Sequence, residues 1–134
     1  MYPKKERVRF LLGAAVKEMG LLQEMSQGVS VPDDFVSSTS GLIVFRACGM
    51  SLQYVTENFV KIRNLCGKDF FKTYKTISWD GVFGMRNFLA HEYGDVDAVG
   101  IFNTVKTNIP ELLQVSKVML QDLENGKLDS VLVD

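Results

Sequence analysis

The sequence predicts an all-α protein: an antiparallel bundle of four or five helices forming a single domain over residues 1–134. Three observations carry this. Apolar residues recur at spacings of three and four over long stretches, and nowhere alternate with the period of two that a half-buried strand requires. Short breaks containing Gly, Pro32 or Ser/Asp clusters separate these stretches, and short connections between long helices give antiparallel neighbours. A chain of 134 residues, 46% of them hydrophobic, has the apolar material for one core.

The first helix is expected from about Lys5 to Gln27. Val8, Leu11, Leu12, Ala15, Met19, Leu22 and Met25 lie on one face, and Gly28 is the stop. Its opening, a basic stretch followed by Phe10 to Val16, has the outline of a signal peptide, but Lys17 and Glu18 interrupt the run and the helical pattern continues beyond it. The run is also far shorter than the ~20 apolar residues of a membrane span, so the expectation is no membrane partner and a cytoplasmic location. Pro32 then pushes Val31 out of helical geometry, Asp33 or Asp34 caps a short turn carrying Phe35 and Val36, and Ser37 to Ser40 offer caps for the next helix.

That helix, about Gly41 to Cys66, places Phe45, Cys48, Leu52, Val55, Phe59, Ile62 and Cys66 at alternating steps of three and four. Such a heptad seam suits either a neighbouring helix or a second chain. Gly67 ends it. A third, short helix is expected between Asp69 and Ser78, holding Phe70, Phe71, Tyr74 and Ile77. The fourth begins near Trp79 behind a Ser78 cap, reaches about Tyr93, and stops at Gly94. Asp95 or Asp97 caps the fifth, about Ala98 to Glu124. Its seam is Phe102, Val105, Ile109, Leu112, Met119 and Leu123, with Ser116 as one polar place and a kink about one turn upstream of Pro110. Residues 127–134 read as a loosely held tail, although Leu128, Val131, Leu132 and Val133 could pack on a neighbour.

Charge and cysteine content narrow the function classes. A net charge of −1 excludes a molecule that attracts polyanions over its whole surface, so nucleic-acid binding requires a local cationic patch. Cys48 and Cys66 have no CxxC spacing and no neighbouring histidine, whereas structural zinc takes four N or S donors; both read as reduced thiols and no metal is expected.

The chemistry concentrates near the end of the fourth helix. His91 is the chain's one histidine, and alone it would be read as a hydrogen-bonded structural residue. Its neighbours change that reading. At about 100° per residue, Asn87 and His91 share one face, and Arg86 and Tyr93 lie on an adjacent strip. Phe83, Phe88 and Leu89 are expected to anchor the helix in the core.

The stretch from Ile77 to Asp97 resembles the signature of HepT-like HEPN proteins: Arg-x4-His-x-Tyr, with a tryptophan just upstream and an acidic turn just downstream. Ile109-Pro110-Glu111-Leu112-Leu113 and Asp34-Phe35 are similar to further family positions, so the likeness covers nearly the whole chain. Glu57 falls near the family's acidic position in the long helix, but Leu52 to Asn58 departs from the usual pattern there, which leaves Glu57 without an assigned role. A bare Arg-x4-His recurs by chance; Arg-Asn-x3-His-x-Tyr with the tryptophan in a helical bundle is specific.

The resemblance implies a homodimeric HEPN-like bundle that cleaves RNA, tRNA or mRNA, without metal or cofactor. Arg86 and His91 fall on the catalytic pair, with Asn87 in support, at a site formed across the homodimer. It further implies a toxin of a type II or VII-like toxin–antitoxin pair, whose cognate nucleotidyltransferase antitoxin adenylylates the residue matching Tyr93. The residue types suit the chemistry. Attack of a ribose 2′-hydroxyl on phosphorus needs a base, an acid for the leaving oxygen, and positive charge for the phosphorane. Histidine serves either proton role and arginine offers phosphate a forked cation. Lys68, Lys72 and Lys75 are candidates for RNA binding, within a wider basic rim of Lys61, Arg63 and Lys106, and Tyr74 or Trp79 offers stacking surface. Scattered charges otherwise form a solvated surface, and Trp79 otherwise belongs to the core.

Two other functions fit parts of the pattern. One is a non-catalytic HEPN bundle that docks a nucleotidyltransferase. The other is a purely structural dimeric bundle in which Arg86 pairs with an acidic residue such as Asp80 or Glu92.

Overall fold

The first periodic stretch forms α1, Lys4–Met25, burying Val8, Leu12, Ala15, Met19 and Leu22 on one face. The helix ends before Gly28, with Ser26 at its C-terminal cap, where the hydroxyl donates to the Leu22 carbonyl at 2.8 Å. The computed structural model describes residues 3–92 and 98–133, and for residues 90–92 the backbone alone. A single 3₁₀ turn, Pro32–Phe35, follows α1. Asp34, rather than Asp33, organises it: its carboxylate accepts from the Ser30 and Val31 amides at 2.8 and 3.2 Å, which holds its pKa below the usual range. Phe35 is thereby buried against Phe45, with ring centroids 5.2 Å apart.

The long helix α2, Thr39–Cys66, starts at the predicted serine cluster, where the Ser38 hydroxyl accepts from the Gly41 amide at 3.0 Å. Gly41 is required by close approach: a Cβ there would lie 2.0 Å from the Asp34 carbonyl oxygen. Cys48, Leu52, Val55, Phe59 and Ile62 of the heptad seam are buried inside the chain, with Phe45 and Cys66 packed at its edges. Gly67, at φ 80°, ends the helix.

The expected third helix does not form. Residues 68–78 make one 3₁₀ turn, Lys68–Phe71, and then irregular backbone. The Tyr74 carbonyl in this segment accepts from the Trp79 indole at 2.8 Å and from the Ile77 amide at 3.5 Å, which ties the irregular backbone to the start of the next helix. Phe70, Phe71 and Tyr74 are still buried, so the apolar positions agree with expectation and their local geometry does not.

Helix α3, Trp79–Glu92, follows the Ser78 cap, whose hydroxyl accepts from the Gly81 amide at 3.3 Å. Phe83 and Leu89 anchor it as expected; Phe88 does not, and stands 45% exposed. The expected stop at Gly94 and caps at Asp95 or Asp97 lie outside the described residues. The last stretch divides into α4, Ala98–Asn103, a π-helical turn, Thr104–Asn108, and α5, Ile109–Glu124. Pro110 sits in the first turn of α5, where its missing N–H costs least, and the widened π turn just upstream is the predicted kink in its actual form. Ser116, the polar place in the seam, is buried and donates to the Leu112 carbonyl at 2.6 Å.

The segment expected as a loose tail instead packs. Leu128 and Leu132 are each 7% exposed on either side of a 3₁₀ turn, Asp129–Val131, and Lys5 pairs with Asp129 at 3.0 Å. Helix α2 is the central element, touching α1, α3 and α4, while α1 also packs on α5. The result is an all-α bundle with a continuous core and no strand among the described residues. No described helix is long and apolar enough to cross a membrane.

Candidate active site

Packing of α3 on α2 positions the charged residues. Next to Glu57, the buried Asn58 donates from Nδ2 to the Leu11 carbonyl of α1 at 3.1 Å, so this part of α2 is tied to the bundle. Arg86 reaches across from α3. Its Nε donates to Glu57 Oε2 at 2.5 Å and its second terminal nitrogen to Oε1 at 3.4 Å, a forked pairing. The remaining terminal nitrogen donates to Asn87 Oδ1 at 3.0 Å. Three of the guanidinium's five N–H groups are thus engaged among the described residues.

The hydrogen bond from Arg86 holds the Glu57 carboxyl below its usual range against a smaller opposing effect of burial, and the same bond raises Arg86. Both side chains are about a third exposed, at 34% and 32%. Solvent screens such a pair, so it orients the guanidinium more than it stabilises the fold. Among the described residues, the acid that meets Arg86 is therefore Glu57 on another helix, while the Glu92 side chain lies outside the described residues. Sequence reasoning assigns Glu57 no role; the available signal is its place near the family's acidic position.

The backbone of His91 lies in the last turn of α3, one turn beyond Asn87. Asn87 and Phe88, which flank its register on the helix, are both exposed. The His91 side chain and the whole of Tyr93 lie outside the described residues. Glu57 also borders a shallow hollow of about 360 Å³ lined by Met50, Gln53, Tyr54, Asn58 and Lys61. Met50 and Tyr54 are 71% and 45% exposed, and Ile43, two turns before Met50, is 64% exposed. Hence an apolar stripe on the outer face of α2 leads to the acid that holds Arg86.

The predicted lysines divide between sites. Lys68, Lys72 and Lys75 come together around a pocket of about 270 Å³. Lys106 is elsewhere, donating to the Ser26 carbonyl at 2.8 Å, and Arg63 lies over the Phe83 ring, 4.5 Å from its centroid. Trp79 is half-buried against Phe59 and Phe71, with ring centroids 5.5 and 4.5 Å away, so it is chiefly part of the core.

Neither cysteine is poised as a nucleophile. Burial pushes the Cys48 thiol up to about 11 and raises Cys66 in the same direction, which keeps both protonated near neutrality. Among the described residues, no cluster of three or more His, Cys, Asp or Glu side chains is arranged to hold a metal ion.

The model of the family described as "Ribonuclease HepT-like" matches residues 16–119. The chain is also similar to a curated protein of Caldanaerobacter subterraneus subsp. tengcongensis named "Putative RNase TTE0752". The two are 33% identical over 106 residues, covering 79% of this chain and 88% of the relative. No solved structure matches the chain. The family match spans the helices that carry Glu57, Arg86, Asn87 and His91, and the chain belongs to the HepT-like ribonuclease family.

Proposed function

We propose that the chain is a metal-independent endoribonuclease that acts as a homodimer, with Arg86, His91 and Asn87 of both copies at one composite site. The observation that carries this reading is the forked hold of Glu57 on Arg86, which presents a fixed cation beside an exposed helix face. In the proposed step, a histidine takes the proton of the ribose 2′-hydroxyl, and the 2′-oxygen attacks the adjacent phosphorus. The P–O5′ bond breaks, and the 5′-oxygen leaves with a proton from a second histidine. The products are a 2′,3′-cyclic phosphate and a 5′-hydroxyl. Arg86 neutralises the phosphorane, and Asn87 fixes the guanidinium.

Each chain has one histidine, whereas the step uses an acid and a base together, so two copies complete the site. The α2 seam is consumed inside the chain, and the apolar stripe of Ile43, Met50 and Tyr54 remains as a surface for the second copy. Lys68, Lys72 and Lys75 lie along the RNA path. The protein acts in the cytoplasm as a toxin on tRNA or mRNA. A cognate nucleotidyltransferase antitoxin silences it by adenylylating Tyr93, which places a bulky anion near Arg86.

Purified chain incubated with RNA in EDTA tests the activity. Cleavage is expected to persist, and to fall roughly 10²–10³-fold in Arg86→Ala and about 10²–10⁴-fold in His91→Ala. No cleavage by folded wild-type chain at any concentration would favour the docking module instead.

A further inference from the structure

The irregular connection between α2 and α3 creates a feature that neither helix supplies alone. Lys68, Lys72 and Lys75 are all exposed and surround a pocket floored by Phe71, Trp79 and Phe83. Phe71 and Phe83 pack edge to face with centroids 5.5 Å apart, and Trp79 lies 4.5 Å from Phe71, so the floor is a rigid aromatic cluster. Two acids are nearby: Asp69, which pairs with Lys72 at 3.4 Å, and Asp80 on the rim. Three lysines together with Arg63, stacked on Phe83, outweigh those two acids and leave the locality cationic, in a chain whose net charge is −1.

The size of the pocket selects among anions. About 270 Å³ falls just below the ~300–1,000 Å³ of small-molecule sites, the scale of one nucleotide unit. Its place relative to the candidate active site is fixed by α3. Phe83 precedes Arg86 by three residues and Asn87 by four, so the pocket and the guanidinium occupy the same side of the helix about one turn apart. One turn is ~5.4 Å along the axis, on the scale of a single nucleotide step along an extended strand.

We infer that this pocket is a subsite for one unpaired nucleotide of the RNA substrate, adjacent to the cleaved linkage. Its phosphate is held by Lys68, Lys72 and Lys75, and its base rests against the accessible edge of Trp79. This assignment rests on the ribonuclease reading, and it adds that the enzyme requires single-stranded RNA at the cut. Phosphate binding by these lysines supplies affinity without sequence preference, while the aromatic edge accepts any base.

Trp79 is the chain's one tryptophan, so its fluorescence reports occupancy of the pocket directly. The probe is a short, mixed-sequence single-stranded RNA titrated into His91→Ala protein, with anisotropy of the labelled RNA followed in parallel. The expected result is a change in Trp79 emission that saturates with RNA binding. In the Lys68→Ala/Lys72→Ala/Lys75→Ala variant the emission change disappears, and the slope of log affinity against log salt becomes shallower by about 0.7 for each phosphate that a lysine no longer neutralises. Lys17→Ala/Lys117→Ala, which removes two exposed lysines from α1 and α5, leaves both readouts unchanged. RNA binding with unaltered Trp79 emission and an unaltered salt slope in the triple variant overturns the subsite, as does tighter binding of duplex than of single strand or the absence of any RNA binding. Cleavage by wild-type chain, measured separately in EDTA, tells failure of the subsite apart from failure of the ribonuclease reading.

Discussion

Under the proposed function, Arg86 is a side chain held ready for phosphate chemistry. A free guanidinium on a helix samples many rotamers, and ordering it on the substrate costs side-chain entropy. Here Glu57 fixes Nε and one terminal nitrogen, while Asn87 fixes the other. Glu57 is accordingly a positioning residue, acting through Arg86 and not on RNA. Glu57→Gln keeps an acceptor for Nε but removes the charge that orders the fork. The expected outcome is a kcat lower by roughly 10- to 100-fold, the scale of an ångström-sized misplacement. KM for RNA should be unchanged or lower, because one negative charge has left the phosphate path. Steady-state cleavage separates the two, and an unchanged kcat would deny Glu57 this role. The motif around Arg86, Asn87 and His91 is legible in the sequence because those residues are close along one helix. The partner of Arg86 is not, because Glu57 is 29 positions away and only the packing of α3 on α2 joins them.

At the scale of elements, the turn before α2 shows how local chemistry sets a helix start. Gly41 lets the first turn of α2 approach the Asp34 carbonyl, where an added Cβ would sit 2.0 Å from oxygen. Gly41→Ala must move backbone, and is expected to cost at least about 1–3 kcal/mol. Loss of the Ser38 cap by Ser38→Ala should cost ~1 kcal/mol. Urea denaturation measures each against wild type, and a wild-type midpoint for Gly41→Ala would refute the close approach. The same turn predicts a pH dependence. Two backbone amides lower the Asp34 pKa in the folded state, so its contribution to stability is complete above the unfolded value of about 3.9 and fades as pH falls through the folded value. In Asp34→Asn, the decline of stability below about pH 4 should be shallower than in wild type; parallel curves would contradict it. Most of the elements are readable from spacing. The first, second and fourth periodic stretches form α1, α2 and α3, and Pro110 marks the break before α5. Residues 68–78 escape this reading because their apolar spacing mimics a helix, while the backbone there is held by turns and by the Trp79 indole, a side-chain contact that periodicity does not encode. Phe88 departs for a related reason: its type suggests the core, but it lies on an exposed face of α3.

At the scale of the whole molecule, the central question is what lies opposite the exposed face of α3. The core uses the heptad seam of α2 internally, so Ile43, Met50 and Tyr54 remain exposed beside Glu57. Burying that stripe on a second copy would bring two α2–α3 edges together and supply the second imidazole that the proposed step uses. The most direct test mixes wild-type chain with His91→Ala at fixed total concentration, allows subunits to exchange, and follows RNA cleavage. If both histidines of a dimer serve each cut, the rate follows the square of the wild-type fraction, because only dimers with two intact copies are active. A rate that falls in simple proportion to the wild-type fraction would mean that each chain cuts alone, and would contradict the shared site.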